Sequence, residues 1–473
     1  MTAETVSPER SWLYHPVFPE SWEPHVLYSL ATWINGMAFK NIHFTPSGRP
    51  VIKIAEIKGG ITAQTQFTDS EYDKRYFITQ GDMLFSWSGQ PETSIDAFYW
   101  DGPDGWLNQH VFKVLPNDDV CAPNFLYYIL KYLKPNFIGI ARNKQTTGLG
   151  HVTKADMQAI QVAVPDRPTQ DRITYVLGKL DARIAVNLRM NRTLEKMAAA
   201  IFKSWFIDFD PVRAKAEGRD PGLPKPLADL FPARLVASEL GEIPEGWEIG
   251  VLENALAEIE VGGRPKGGVA AYSQGVPSIG AESIVGLGIF DYSKTKFVPR
   301  EYFEQMTKGH IKSRDVLLYK DGGRPGEFEP HVTLIGDGFP FETAAINEHV
   351  YRLRARPHVG QEFLFFWLSS DLVMEEMRIK GTGVAVPGLN STQVKSLTTL
   401  LPSTAVVEAF AQYAEPCVAR VLAACKESRT LTSLRDALLP KLISGELRLP
   451  AALRERAAQA GVKDAERIVG RCL

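Results

Sequence analysis

A few side chains in this sequence have the types and spacing that invite chemistry. Glu56-Ile57-Lys58 has the ExK spacing with which nucleases hold a hydrolytic metal, and such a site needs clustered carboxylates. No Asp precedes Glu56 anywhere in the chain, and the corresponding Glu282-Ser283-Ile284 lacks the lysine. His110 and His349 lie at matching positions beside Asn108 and Asn347, where an imidazole could exchange protons near neutral pH. Their repetition next to β-prone runs fits a shared structural hydrogen bond better. The glycine pairs Gly286-Leu287-Gly288 and Gly381-Thr382-Gly383 lack the strand, glycine and helix context of a nucleotide site and read as turns. No GxxxxGK[ST] loop occurs. No two prolines are adjacent, which removes the Pro-Pro-aromatic element with which amino-methyltransferases hold an extruded base. The cysteines Cys121, Cys417, Cys425 and Cys472 have no metal-ligand spacing and read as reduced thiols of a cytoplasmic protein. The reading is therefore no catalytic residue, no metal and no cofactor in this chain.

The side chains that remain suit contact with nucleic acid. Arg142, Asn143, Lys144, Gln145, Thr146 and Thr147 form a run in which Arg, Asn and Gln offer planar base-reading groups, while Lys and Thr offer phosphate contacts. Lys320-Asp321-Gly322-Gly323-Arg324 and Arg378-Ile379-Lys380 are comparable later in the chain. Ser86-Trp87-Ser88-Gly89, at the place that corresponds to Lys320, adds Trp87 and Ser88 in a turn. The formal charge of −2 argues against a uniformly basic binder but leaves local patches open.

The elements that must position these residues announce themselves as a repeat. Ile173, Leu177, Leu180, Ile184, Asn187, Asn191, Leu194, Ala198, Ile201 and Trp205 follow alternating steps of four and three, the seam of a coiled coil. Phe410, Ala414, Cys417, Val421, Ala424, Ser428, Leu431, Arg435, Leu438 and Leu442 follow the same steps, each 237 residues after its counterpart. Fainter matches precede each helix. Pro19-Glu20-Ser21-Trp22 parallels Pro244-Glu245-Gly246-Trp247; Gly81-Asp82-Met83-Leu84-Phe85 parallels Arg314-Asp315-Val316-Leu317-Leu318; Phe125-Leu126-Tyr127-Tyr128 parallels Phe363-Leu364-Phe365-Phe366.

Short β-prone runs such as Val111 to Leu115 and Val350 to Leu353, each followed by one helix (Pro123 to Tyr132, Gln361 to Met377), predict α+β domains. The expected organisation is a first domain over 1–165, a helix over 166–207, an extended Pro-rich connector over 208–245, a second domain over 246–402, a second helix over 403–447 and a tail over 448–473. The helices bury their seams most simply by pairing antiparallel, which yields a dumbbell with pseudo-twofold symmetry. At about 36 residues and ~1.5 Å per residue the rod would be about 54 Å long. Asn187 and Asn191 would fix its register.

The segments Asn191-Arg192-Thr193-Leu194-Glu195, Ala200-Ile201-Phe202-Lys203-Ser204-Trp205-Phe206 and Leu438-Leu439-Pro440-Lys441-Leu442-Ile443-Ser444-Gly445-Glu446-Leu447 resemble the conserved helical regions of the specificity subunits of type I restriction-modification systems. Leu107-Asn108-Gln109-His110-Val111-Phe112 and Pro387-Gly388-Leu389-Asn390 are similar to framework motifs of that family's target-recognition domains. Gly262-Gly263-Arg264-Pro265 resembles a Gly-Gly-Thr-Pro turn, with Arg264 in place of the threonine.

The resemblance implies a non-catalytic reader of double-stranded DNA. Two target-recognition domains would read the halves of a bipartite asymmetric site, and the helices would space them. At ~3.4 Å per base pair a rod parallel to the duplex caps that spacing near 16 base pairs. The resemblance also implies two modification subunits carrying S-adenosylmethionine for adenine methylation, and two restriction subunits adding ATP- and Mg-dependent translocation and cleavage. The competing expectations are a stand-alone nuclease and a coiled-coil adaptor without DNA specificity.

Overall fold

The computed structural model describes residues 19–450 apart from 145–148, 240, 291–294, 323–325 and 383–386. It divides into two compact units, Met1–Val186 with Thr430–Leu473 and Asn187–Arg429. Each long helix, Arg167–Phe206 and Thr404–Ile443, runs 40 residues and contributes to both units. Every seam residue named above is buried or half-buried, as a stripe at 3.5-residue spacing requires.

The first unit is built on a four-stranded antiparallel sheet. Ala31–Asn35 pairs with Val111–Pro116, which pairs with Met83–Ser86, which pairs with Asp96–Tyr99. Beside it Arg49–Ile52 runs parallel to Gly105–Leu107. Glu23–Val26 closes antiparallel on Gln161–Val164, just before the first long helix.

The second unit repeats this order. Leu256–Val261, Val350–Ala355, Val316–Tyr319 and Val332–Leu334 form its four-stranded sheet, Val276–Ile279 runs parallel to Ala345–Ile346, and Glu248–Val251 closes on Thr398–Leu401. A glycine follows the first strand of each sheet for one steric reason. A Cβ at Gly36 would lie 2.1 Å from the Asn108 carbonyl oxygen, and one at Gly262 would lie 1.8 Å from that of Ile346.

A repeated aspartate braces both sheets. The Asp82 carboxylate accepts from the Thr79 backbone N–H (2.8 Å) and from Lys113 Nζ (2.8 Å) on the central strand. Asp315 accepts from the Lys312 N–H (2.6 Å) and from Arg352 Nη1 (3.2 Å) on the equivalent strand. Arg352 and Asp315 are both buried, so each needs the other.

Two helices, not the one expected, follow each central strand: Pro123–Tyr132 and Lys134–Asn143 in the first unit, Gln361–Leu368 and Asp371–Gly381 in the second. The aromatic helix packs on the start of its long helix in both. Phe125, Leu126 and Ile129 share a core with Ile173, Leu177 and Leu442, and Phe363 and Phe366 share one with Phe410, Ala414 and Trp205.

The long helices meet antiparallel within each unit. In the first, Arg435 Nη1 donates to Asp181 Oδ1 (2.8 Å), and Tyr128 Oη donates to Asp181 Oδ2 (2.7 Å). In the second, the buried Asn187 Nδ2 donates to Ser428 Oγ (3.2 Å) and the Ala424 carbonyl (3.5 Å), while Asn191 Nδ2 reaches Cys425 Sγ (3.2 Å). Ala424 and Ser428 are the repeat counterparts of these two asparagines, so the chain's internal repeat is centred on its polar seam.

The segment 208–245 corrects the expectation of an extended connector. It folds into helices Asp210–Ala216 and Lys225–Ala228 and a hairpin of Leu235–Ser238 with Gly241–Pro244. Phe209, Val212, Phe231 and Ile243 are buried in the second unit's core with Phe206 and Trp247. The prolines divide this segment into short elements, while its apolar side chains hold it to the core.

Candidate nucleic-acid interface

Each unit frames the same loop pair with the same backbone hydrogen bonds. In the first, the Trp87 N–H donates to the His110 carbonyl (3.4 Å), and the Val152 N–H donates to the Trp87 carbonyl (2.8 Å). Ser88 and Gly89 pair there with His151 and Gly150. In the second, the Lys320 N–H donates to the His349 carbonyl (2.9 Å), the Leu389 N–H donates to the Lys320 carbonyl (2.8 Å), and Asp321 bridges to Gly388. Trp87 and Lys320 thus occupy one place in a common frame. The two histidines share a structural hydrogen bond, but it is made by their backbone carbonyls, and their imidazoles do different things.

In the first unit the frame carries Trp87, whose indole N–H donates to Asn35 Oδ1 (3.0 Å) and whose ring packs near those of His110 and Phe112. Ser88 is half-buried beside it. Arg142 and Asn143 are exposed at the end of the helix Lys134–Asn143, with Arg142 Nε on Glu92 Oε1 at 2.5 Å. Lys144 Nζ donates to both oxygens of Asp156 (2.6 Å each). Burial works against a charged Asp156, but Lys144 and the Thr153 hydroxyl and N–H outweigh it and hold the carboxyl below its ordinary range. Gln145, Thr146 and Thr147 lie outside the described residues.

In the second unit the frame borders a cleft of about 1100 Å³, lined among others by Glu282, Lys296, Tyr319, Asp321, Glu329 and Arg378. Asp321 and Arg378, from two clusters distant in sequence, both line it, while Lys320 stands behind Asp321. Lys320 Nζ donates to Asp321 Oδ2 (2.6 Å), and His349 Nδ1 contacts Asp321 Oδ1. Burial opposes the Asp321 charge, yet these two partners keep its carboxyl below the usual range. Arg378 holds Glu329 through two nitrogens (2.7 and 3.0 Å) and Glu375 through the third (3.2 Å). Tyr319 and Phe328 stack at 5.6 Å between ring centres. Lys380 is turned to Glu376 (2.8 Å) and the Ser396 carbonyl (2.9 Å) and does not line the cleft. Arg324 lies outside the described residues.

The described candidate cations Arg142, Lys144, Lys320, Arg378 and Lys380 all hold carboxylates within the chain. Engaging a phosphate therefore means exchanging one anion for another. For an exposed pair such as Arg378 with Glu329 the bond given up is worth about 0–1 kcal/mol, so the exchange is inexpensive. The frame's occupants differ, an indole in one unit and a Lys-Asp-His cluster in the other.

Glu56 is a helix cap: its buried carboxylate accepts from the Lys53 N–H (3.0 Å) at the start of the helix Ile54–Gly59. Among the described residues no group of three or more His, Cys, Asp or Glu is placed to hold a metal ion. Cys121, Cys417 and Cys425 are free thiols, and burial pushes that of Cys121 up to about 12. No described helix is long and apolar enough to cross a membrane. The sequence did not point to the turn Asn41–His43, whose Ile42 is 87% exposed. The available signal was charge, because residues 37–66 carry Lys40, Arg49, Lys53 and Lys58 against the single acid Glu56.

The chain is similar to several known proteins. Residues 19–196 match the family described as type I restriction modification DNA specificity domain. The chain is 25% identical over 415 residues to the type I restriction enzyme HindI specificity subunit of Haemophilus influenzae, covering 78% of this chain and 87% of that one. It is 23% identical over 349 residues to the MjaIX specificity subunit of Methanocaldococcus jannaschii, covering 72% and 73%. Among solved structures, the type I restriction-modification S subunit of M. genitalium aligns over 89% of this chain and 96% of its own length, with 15% identity and a TM-score of 0.48.

Proposed function

We propose that this chain is a member of the type I restriction-modification specificity family, is the DNA sequence reader of such a system, and reads a bipartite asymmetric site with its two units. The observation that carries the reading is the common frame with different occupants. The hydrogen bonds that hold Trp87-Ser88 hold Lys320-Asp321 in the same way, so the scaffold is constant while the groups offered to a base edge differ. One fold used twice with different side chains suits two different half-sites.

The chain itself is a non-catalytic subunit in this reading and assembles with modification and restriction subunits. S-adenosylmethionine, ATP and Mg belong to those partners, and the assembly works in the cytoplasm. Two modification subunits are supported by a repeated surface stripe. Thr193, Met197 and Ala200 are exposed on the first long helix, and their counterparts 237 residues on, Thr430, Leu434 and Ala437, are exposed on the second. An apolar side chain left exposed at the same step of a repeat fits two copies of one partner.

Neither the stand-alone nuclease nor the adaptor gains support, since Glu56 caps a helix and the frames are built alike for different occupants. Mapping adenine methylation in the host genome is the test. A bipartite methylated motif is expected, and exchanging 19–165 with 246–402 should reverse the order of its halves. Absence of any sequence preference in the complex with modification subunits would overturn the reading.

A further inference from the structure

The first unit holds an apolar side chain almost wholly in water. Ile42 is 87% exposed, more than any other large hydrophobic residue described, in the short turn Asn41–His43. The turn is tied down on both sides: the Lys40 N–H donates to His43 Nδ1 (2.8 Å), the His43 N–H to the Lys40 carbonyl (2.9 Å) and the Phe44 N–H to the Asn41 carbonyl (3.2 Å).

Beneath it lies an aromatic platform. Phe39 packs against His43 (5.9 Å), Phe44 (6.4 Å) and Tyr72 (5.2 Å), and Tyr72 packs against the buried Trp106 (5.3 Å). A β-branched side chain has few rotamers to lose on contact. A rigid turn that holds such a residue in water keeps it ready for contact at little entropic cost.

The surroundings say what covers it. Lys40 is exposed next in the turn, and Lys53 Nζ lies 5.2 Å from the centre of the Phe44 ring while donating to Gln66 Oε1. Within 37–66 the acid Glu56 is buried in its helix cap, and of the acids on either side of Tyr72, Glu71 is held by Arg49 and Asp73 by Arg75. An apolar tip flanked by cations, on a chain whose net charge is −2, complements the duplex: phosphates outside, apolar base surface within the groove.

We infer that Ile42 is a base-contacting residue for the first half-site, seated by Lys40 and Lys53 on the flanking phosphates. The inference rests on the DNA-reading assignment above. It adds a contact outside the loop frame, on a turn that holds a different sequence, Gly263-Arg264-Pro265, after the equivalent strand of the second unit.

The test uses the complex with its modification subunits and a duplex carrying the site found by methylation mapping, titrated at several salt concentrations. Ile42→Ala should weaken specific binding about tenfold without changing the slope of log affinity against log salt, because an apolar contact releases no counterions. Ile42→Leu should restore most of the loss. Lys40→Ala should reduce that slope by about one. Binding to duplex lacking the first half-site should be equal for Ile42→Ala and the parent. Unchanged affinity of Ile42→Ala while the parent still prefers its site would overturn the inference alone. A loss accompanied by a changed slope or seen equally on non-specific duplex would overturn it too. A parent complex without site preference would instead remove the DNA-reading assignment.

Discussion

At the scale of single residues, the charges that look free in sequence are the ones the fold employs. A guanidinium or ammonium in a loop suits phosphate, yet Arg142, Lys144 and Arg378 each hold a carboxylate within the chain. Their partners, Glu92, Asp156 and Glu329, are 12 to 50 residues away in sequence, beyond the reach of any local pattern. Asp96 is the clearest structural member of this class, with Lys131 at 2.9 Å and Lys134 at 2.6 Å. Burial raises its pKa, but the two lysines outweigh burial and bring it below the ordinary value of about 3.9. A carboxyl whose pKa falls on folding stabilises the fold above its unfolded pKa, and that contribution is lost as the pH drops through the folded value. Asp96→Asn should therefore lower the thermal midpoint of the chain at about pH 7 and change it little at about pH 2. Melting curves across that range check this; an equal drop at both ends would assign Asp96 a purely steric role.

At the scale of elements, the two long helices carry different cores at their two ends of the repeat. The first unit anchors Ile173 and Leu177 with aliphatic and aromatic side chains, whereas the second builds an aromatic knot around Phe410. Phe410 is fully buried and lies 5.4 to 5.8 Å from the rings of Phe202, Phe206 and Phe366. Removing that ring leaves a cavity among stiff neighbours that cannot collapse into it. Phe410→Ala should cost about 3–5 kcal/mol, read from denaturant unfolding. A cost below ~1 kcal/mol would mean that the knot repacks. The steps of four and three were visible in sequence because the seam is a local, periodic demand on the chain. The folded state of 208–245 was not, because its prolines and glycines speak of short elements without saying that Phe209, Val212 and Phe231 find a core.

At the scale of the whole molecule, the repeat makes a claim about assembly. Met197 and Leu434 are counterparts, 52% and 46% exposed, and neither contributes to its seam. If each stripe docks one modification subunit, Met197→Asp and Leu434→Asp should each yield complexes with a single modification subunit, and the double variant should bind none. Native mass spectrometry counts the subunits directly. Full occupancy in either single variant would place docking elsewhere. Sequence-specific methylation should fail in both single variants if both subunits are needed, while folding, followed by circular dichroism, should be unaffected because both side chains face solvent.

The sequence by itself determined the repeat, the helical seams, the α+β character and the aspartates and glycines that recur in both halves. These are features in which a residue's type and spacing are constrained by its own element, whether by helical periodicity, a turn's backbone or one close approach. Tertiary structure alone decided which cations are paired, that Asp321 and Arg378 line one cleft, that the histidines share a carbonyl hydrogen bond instead of an imidazole role, and that Ile42 stands clear of the core. Each depends on which distant segments the fold brings within a few ångströms, and neither a side chain's partners nor its exposure is written in its immediate neighbours.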